Sequence, residues 1–227
     1  MEGVRFAGQF PAEGLLCSMC RMAPPEFERA VAYAVYEDAL REMVHLLKYE
    51  RVRAVAKPLG RMLARTIETL HGESGEDLVL VAVPLYPSKE WQRGYNQAVL
   101  IADAALEELK KRRPAWKLTA AHSAIRRVKD TRSQFELTPK GRRRNLQGAF
   151  AIRDGSALVG REVLLVDDIY TTGATARACS HVLRQAGASK VWVATVSRAQ
   201  PEMVASWDAS VEKLGKGEAA VFGSGGF

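Results

Sequence analysis

Val163, Leu164, Leu165 and Val166 form an unbroken apolar run that stops abruptly at Asp167 and Asp168. Such a run, with no polar alternation, predicts a short strand buried on both faces, as in a parallel sheet. Ile169, Tyr170, Thr171, Thr172, Gly173, Ala174 and Thr175 follow as a loop, and the spacing over 176–186 predicts a helix. The run 78–83 predicts the first strand of the sheet and 191–196 another, with a weaker strand at 118–125 and a short one at 149–152. Helical spacing is clear over 37–49, where Leu40, Met43, Val44 and Leu47 repeat, and over 55–70, where Leu59, Met62, Leu63 and Ile67 share one face. Residues 84–96 read as a loop before a helix over 97–110. The stretch 27–36 is mixed, and its pattern assigns no element.

Strands alternating with helices predict an α/β domain. The polar stretch 126–145 lies between two strands and carries Arg127, Lys129 and Arg144. A long polar segment in that position predicts a flexible lid, and a cationic lid closes over a charged substrate and excludes water. No internal repeat is present. From residue 200 the chain thins into a glycine-rich tail, with a helix conceivable only over 201–214.

Composition narrows the picture. A chain of 227 residues and 25.0 kDa, 47% hydrophobic, has room for one substantial α/β domain and a small accessory piece. No segment approaches the roughly 18 uninterrupted apolar residues of a membrane helix. No signal peptide opens the chain. Three cysteines are too few and odd in number for a disulfide framework, which points to a reducing compartment and a cytoplasmic location. The net charge is +7, with basic clusters at 110–113, 126–127 and 142–144. Such clusters suit polyanions, whether nucleic acid or a pyrophosphate-bearing metabolite.

Candidate chemistry concentrates behind the 163–166 strand. Two carboxylates, a hydroxyl-and-glycine loop and a helix start make a phosphate-binding arrangement, because a helix N-terminus offers unpaired N–H groups and a positive dipole end. Gly173 lets backbone approach a ligand, and the threonine hydroxyls donate to phosphate oxygens. Asp167 and Asp168 are acceptors suited to sugar hydroxyls or to waters around Mg2+. No Gly-Lys-Ser/Thr follows Gly173, so this is not a Walker A loop. Lys89 and Arg93 give the 84–96 loop two cations, with Arg suited to bidentate phosphate contacts. Lys48 reads as a solvated cation and His45 as a structural residue. Cys17 and Cys20 form a CxxC pair, two ligands where tetrahedral zinc needs four, or three and a water.

The 163–175 stretch resembles the signature of type I phosphoribosyltransferases, which hold the ribose 5-phosphate half of phosphoribosyl pyrophosphate (PRPP). Taken with Cys17/Cys20, Leu46-Leu47-Lys48-Tyr49, Val83-Pro84, Arg93-Gly94-Tyr95-Asn96-Gln97 and Arg144-Asn145-Leu146, the chain over about 15–200 resembles the ComF family of competence-associated proteins. The resemblance implies a type I phosphoribosyltransferase fold: a parallel sheet of about five strands between helices, with a small N-terminal hood. It divides the chain into 1–50, carrying an incomplete zinc ribbon and a hood helix, a core over 51–200, and a tail over 201–227. The implied reaction is a glycosyl transfer, with phosphoribose moving from PRPP to an unidentified nitrogenous acceptor and pyrophosphate released. The alternative is a PRPP- or nucleotide-binding protein without turnover, acting in DNA uptake through a basic surface that contacts single-stranded DNA or the competence machinery.

In these terms Asp167 and Asp168 hold the ribose hydroxyls and Mg2+ waters, and Tyr170, Thr171, Thr172, Gly173, Ala174 and Thr175 cradle the 5′-phosphate. Lys89 and Arg93 take the pyrophosphate, and Arg127, Lys129 and Arg144 act from the lid. Zinc is implied by the family only, and the first of its usual two CxxC pairs is missing. Position 89 is Lys where the family commonly has Arg. No cysteine nucleophile follows Met1, which argues against a glutamine amidotransferase.

Overall fold

The apolar runs do what their continuity dictates and lie side by side in one parallel sheet. The computed structural model describes residues 24–130, 146 and 148–199. Among them are seven strands, β1 (Arg29–Val35), β2 (Asp77–Ala82), β3 (Lys117–Ala120), β4 (Ile125–Arg127), β5 (Phe150–Ile152), β6 (Glu162–Tyr170) and β7 (Lys190–Arg198). Five α-helices accompany them: α1 (Asp38–Tyr49), α2 (Ala56–Ile67), α3 (Pro87–Arg93), α4 (Gln97–Arg112) and α5 (Ala174–Gln185). The sheet order is β1-β7-β6-β2-β3, every neighbouring pair parallel, while β4 and β5 form a separate antiparallel pair. The α/β fold with about five parallel strands, implied by the phosphoribosyltransferase resemblance, is present.

Period-two alternation in buried strands divides the core into two layers. Leu78, Leu80, Leu164, Val166 and Trp192 face α1, α2 and α4 through Leu47, Leu59, Leu63, Ile67 and Ile101. Val79, Val81, Val163, Leu165 and Val193 face α5 and the β4–β5 pair through Cys179, Leu183, Ile125 and Phe150. Both faces are covered, which is why these strands lack polar alternation.

Four expectations change. The unassigned 27–36 stretch contains β1, an edge strand paired with β7 from Arg29↔Trp192 to Val35↔Arg198. Val31 alone among its residues is buried, so an edge strand of small residues left no clear periodicity. The 84–96 loop contains α3, which begins with Pro87 at its first turn and ends at Gly94, whose φ of 82° makes a left-handed cap. The acidic pair does not follow the strand: β6 runs through Asp167 and Asp168 to Tyr170. Finally, Arg126 and Arg127 belong to β4 rather than to a lid, and 131–145 lies outside the described residues, as do Cys17, Cys20, Arg144 and the 201–227 tail. Among the described residues no helix is long and apolar enough to cross a membrane.

Candidate functional site

β2 leads through α4 to β3 on one side of the sheet, and β6 leads through α5 to β7 on the other. The two connections diverge, so their strands' carboxyl ends open a crevice, the place where open α/β sheets bind ligands. A cleft of about 500 Å³ occupies it. Asp167, Asp168, Thr171, Gly173 and Thr175 line it from the β6–α5 side, Lys89 and Arg93 from α3, Arg127 from β4, and Lys48, Tyr49 and Arg51 from the end of α1.

The acidic pair is unequal. Asp168 is buried, with one carboxylate oxygen 2.9 Å from Lys48 Nζ and the other accepting from Gln97 Nε2 at 2.9 Å. Lys48 is therefore not a solvated cation: its side chain is 10% exposed and that of Asp168 5%. Burial lowers the ammonium's pKa, but the charge and hydrogen bond of Asp168 outweigh it, and the net value lies above the ordinary lysine range. Asp167 uses one carboxylate oxygen to accept the Asp168 N–H at 2.9 Å and keeps an edge on the cleft. Burial, reinforced by the neighbouring Asp168 charge, pushes its carboxyl up to about 7, against the opposing pull of Lys48 and Arg127.

The phosphate loop is built as its sequence requires. Gly173 has a φ of 73° and stands at the N-cap of α5, which receives no side-chain cap. A Cβ there would collide with the Tyr170 hydroxyl, so the turn needs glycine twice over, for its conformation and for the close packing of the tyrosine ring. The Thr172 hydroxyl is buried with no hydrogen-bond partner among the described residues, an unmet donor beside uncapped helix N–H groups. Ala174 packs into the core below the loop.

Lys89 and Arg93 stand together on α3, and Arg127 stands on β4. Lys89 Nζ is 3.6 Å from Asp130, and Arg93 bonds Gln97 while its guanidinium lies 5.9 Å from the Tyr49 ring. Arg127 stacks 5.5 Å from the Phe150 ring, and burial draws its pKa below the usual arginine range. Lys129 does not line the cleft and lies beside Gly148. Sequence reasoning missed Lys48, Gln97 and Arg51. Arg51 holds a φ of 58° and donates to Gln92 O at 2.6 Å, while Arg53 donates to Gly94 O at 3.1 Å. Both arginines thereby fasten the α1–α2 connection to the carbonyl end of α3. His45 is half exposed, 3.5 Å from Glu50 and against the Tyr49 ring.

Magnesium, the cofactor implied by the resemblance, finds only part of a site. Both Asp168 oxygens are engaged, a single Asp167 oxygen is left over, and no cluster of three His, Cys, Asp or Glu occurs among the described residues. Mg2+ demands near-octahedral oxygen ligation. The acidic pair offers such an ion one open Asp167 oxygen and sets the Lys48 ammonium beside it, so most of the shell would have to come from water or ligand oxygens.

Among curated proteins the chain is similar to DNA utilization protein YhgH of Escherichia coli, 33% identical over 79% of this chain and 76% of that one. Competence protein F of Haemophilus influenzae is 29% identical over 81% of this chain and 78% of its own. Competence protein ComFC of Bacillus subtilis is 27% identical over 67% of this chain and 56% of its own. The solved structure of TT1426 from Thermus thermophilus matches at 24% identity with a TM-score of 0.36, over 68% of this chain and 78% of that one. No family model matches the chain.

Proposed function

This chain belongs to the ComF family of competence proteins, and from that premise we propose that its cleft binds PRPP and transfers phosphoribose to a nitrogenous acceptor. The observation that carries the reading is the gathering, in one cleft, of an uncapped helix N-terminus, an acidic pair and cations on three other elements. Thr171, Thr172, Thr175 and the first N–H groups of α5 take the 5′-phosphate. Asp167 accepts from a ribose hydroxyl. Lys89 and Arg93 take the pyrophosphate, with Arg127 beside them in a partly buried position where each charge–charge contact is stronger than in water.

The acceptor's lone pair then forms the C1–N bond as the bond from C1 to the pyrophosphate oxygen breaks. Pyrophosphate departs with that electron pair, and the acceptor's proton goes to it or to water. The protein contributes position and charge, aiming fixed donors at the leaving group where negative charge develops.

A second reading keeps the PRPP- or nucleotide-binding cleft without turnover and gives the chain a part in DNA uptake, in keeping with the names of its relatives. The rim favours it in one respect. Tyr49 is 57% exposed at the cleft beside Arg51, with the Arg93 guanidinium 5.9 Å from its ring, whereas Trp91, 87% exposed on α3, stands two residues from Lys89 and from Arg93 and so off the face they share. Exposed aromatic rings among cations stack single-stranded bases. Pyrophosphate release from PRPP with purine, pyrimidine and amine acceptors separates the readings: turnover with one acceptor class is expected. Silence with every acceptor, combined with a single-stranded DNA affinity that Tyr49→Ala lowers about tenfold, would favour the second.

A further inference from the structure

Taking the cleft as a PRPP site, as above, we propose that the Lys48 ammonium is the resident cation of the acidic pair, so that PRPP binding needs no divalent ion. Three observations carry this. The ammonium sits 2.9 Å from Asp168 at the cleft, and Gln97 holds the other Asp168 oxygen, so a divalent ion at that carboxylate would stand against the Lys48 charge and compete with two partners already in place. Lys48 is also fixed from behind. The Tyr95 hydroxyl donates to the carbonyl of Leu47, whose side chain is buried in the core, so the last turn of α1 is tied down immediately before Lys48. Finally, Lys48 lines the cleft beside Asp167.

An ammonium has three donors, and Asp168 takes one. The other N–H groups are of the right kind to donate to the ribose hydroxyl oxygens, while Asp167 accepts from the same hydroxyls. Carboxylates are acceptors only, so the lone pairs of the same hydroxyls need a donor from elsewhere. Here a side chain supplies it.

Calorimetric titration with PRPP in EDTA and in Mg2+ tests the proposal on the full chain. Wild-type affinities within about threefold of each other are expected, and a loss of tenfold or more in EDTA overturns it. A second arm reads the pair without PRPP, using Mn2+ detected by electron paramagnetic resonance. Lys48→Met is expected to gain a Mn2+ site, and its melting temperature to rise with Mg2+, because two carboxylates are left without their cation. Wild type is expected to show neither effect; a wild-type Mn2+ site that Asp167→Asn removes would overturn the proposal even if the variant does not fold. Absence of PRPP binding in both buffers would instead remove the functional reading, and the Mn2+ arm would still decide whether Lys48 serves as the cation.

Discussion

Lys48→Ala is expected to destabilise the protein by about 3–5 kcal/mol, because removing one partner of a buried ion pair leaves an uncompensated charge behind. Asp168 cannot turn to water, since its side chain is 5% exposed and Gln97 grips its other oxygen. The pair also joins separate elements, α1 to β6, with α4 completing the contact through Gln97. Removing both charges in Lys48→Met/Asp168→Asn is expected to restore most of the loss, since replacing a whole buried pair is often close to neutral. The exposed His45–Glu50 pair is the control: its partners are 54% exposed, and Glu50→Gln should change stability by less than about 1 kcal/mol. Urea unfolding at unchanged m values measures all three. A Lys48→Ala cost as small as the control's would mean that the pair is solvated.

Asp167→Asn is expected to stabilise the protein at pH 8 by about 1–3 kcal/mol while weakening PRPP binding, the common trade between function and stability. The folded chain keeps the Asp167 proton until about pH 7, whereas the ordinary carboxyl value is 3.8. Between those values folding takes up a proton. The contribution of this group to stability is therefore fully present below about pH 4 and is lost as pH rises through about 7. Asparagine has no proton to lose and still accepts the Asp168 N–H through its amide oxygen. The two proteins should converge toward pH 4 and diverge toward pH 8, which thermal unfolding across that range reads directly. Wild type gaining on the variant as pH rises would reverse the sign and show an ionised, stabilising Asp167.

Much of this architecture is legible in the chain because period and burial coincide. Runs without alternation, such as 78–83 and 163–166, have few places to go except a covered parallel sheet. The Gly173 turn was legible too, since a hydroxyl-rich loop between a buried strand and a helix has few other uses. β1 was not, because a half-buried edge strand of alanines and valines carries little periodic signal. Lys48 was misread for a different reason. A lysine in the last helical turn is ordinarily placed by the helix dipole and solvated. Its burial here depends on Asp168, far away in the chain, and only the packing of α1 over the end of β6 brings the two together. Arg51 and Gln97 escaped notice on the same ground, since their partners are a backbone carbonyl at the end of α3 and a carboxylate on β6. The short helix α3 was hidden by its proline, which breaks a helix interior but suits a first turn.

The claim beneath all of this is that one cleft holds PRPP by both ends. Parallel calorimetric titrations of PRPP and ribose 5-phosphate against wild type and Lys89→Ala/Arg93→Ala test it most directly. Wild type should bind both ligands, PRPP the more tightly. The double variant should keep its ribose 5-phosphate affinity and lose about hundredfold or more for PRPP, the scale of two charge-assisted contacts. No heat with PRPP, or a PRPP affinity that the double variant leaves unchanged, would contradict the assignment of the cleft.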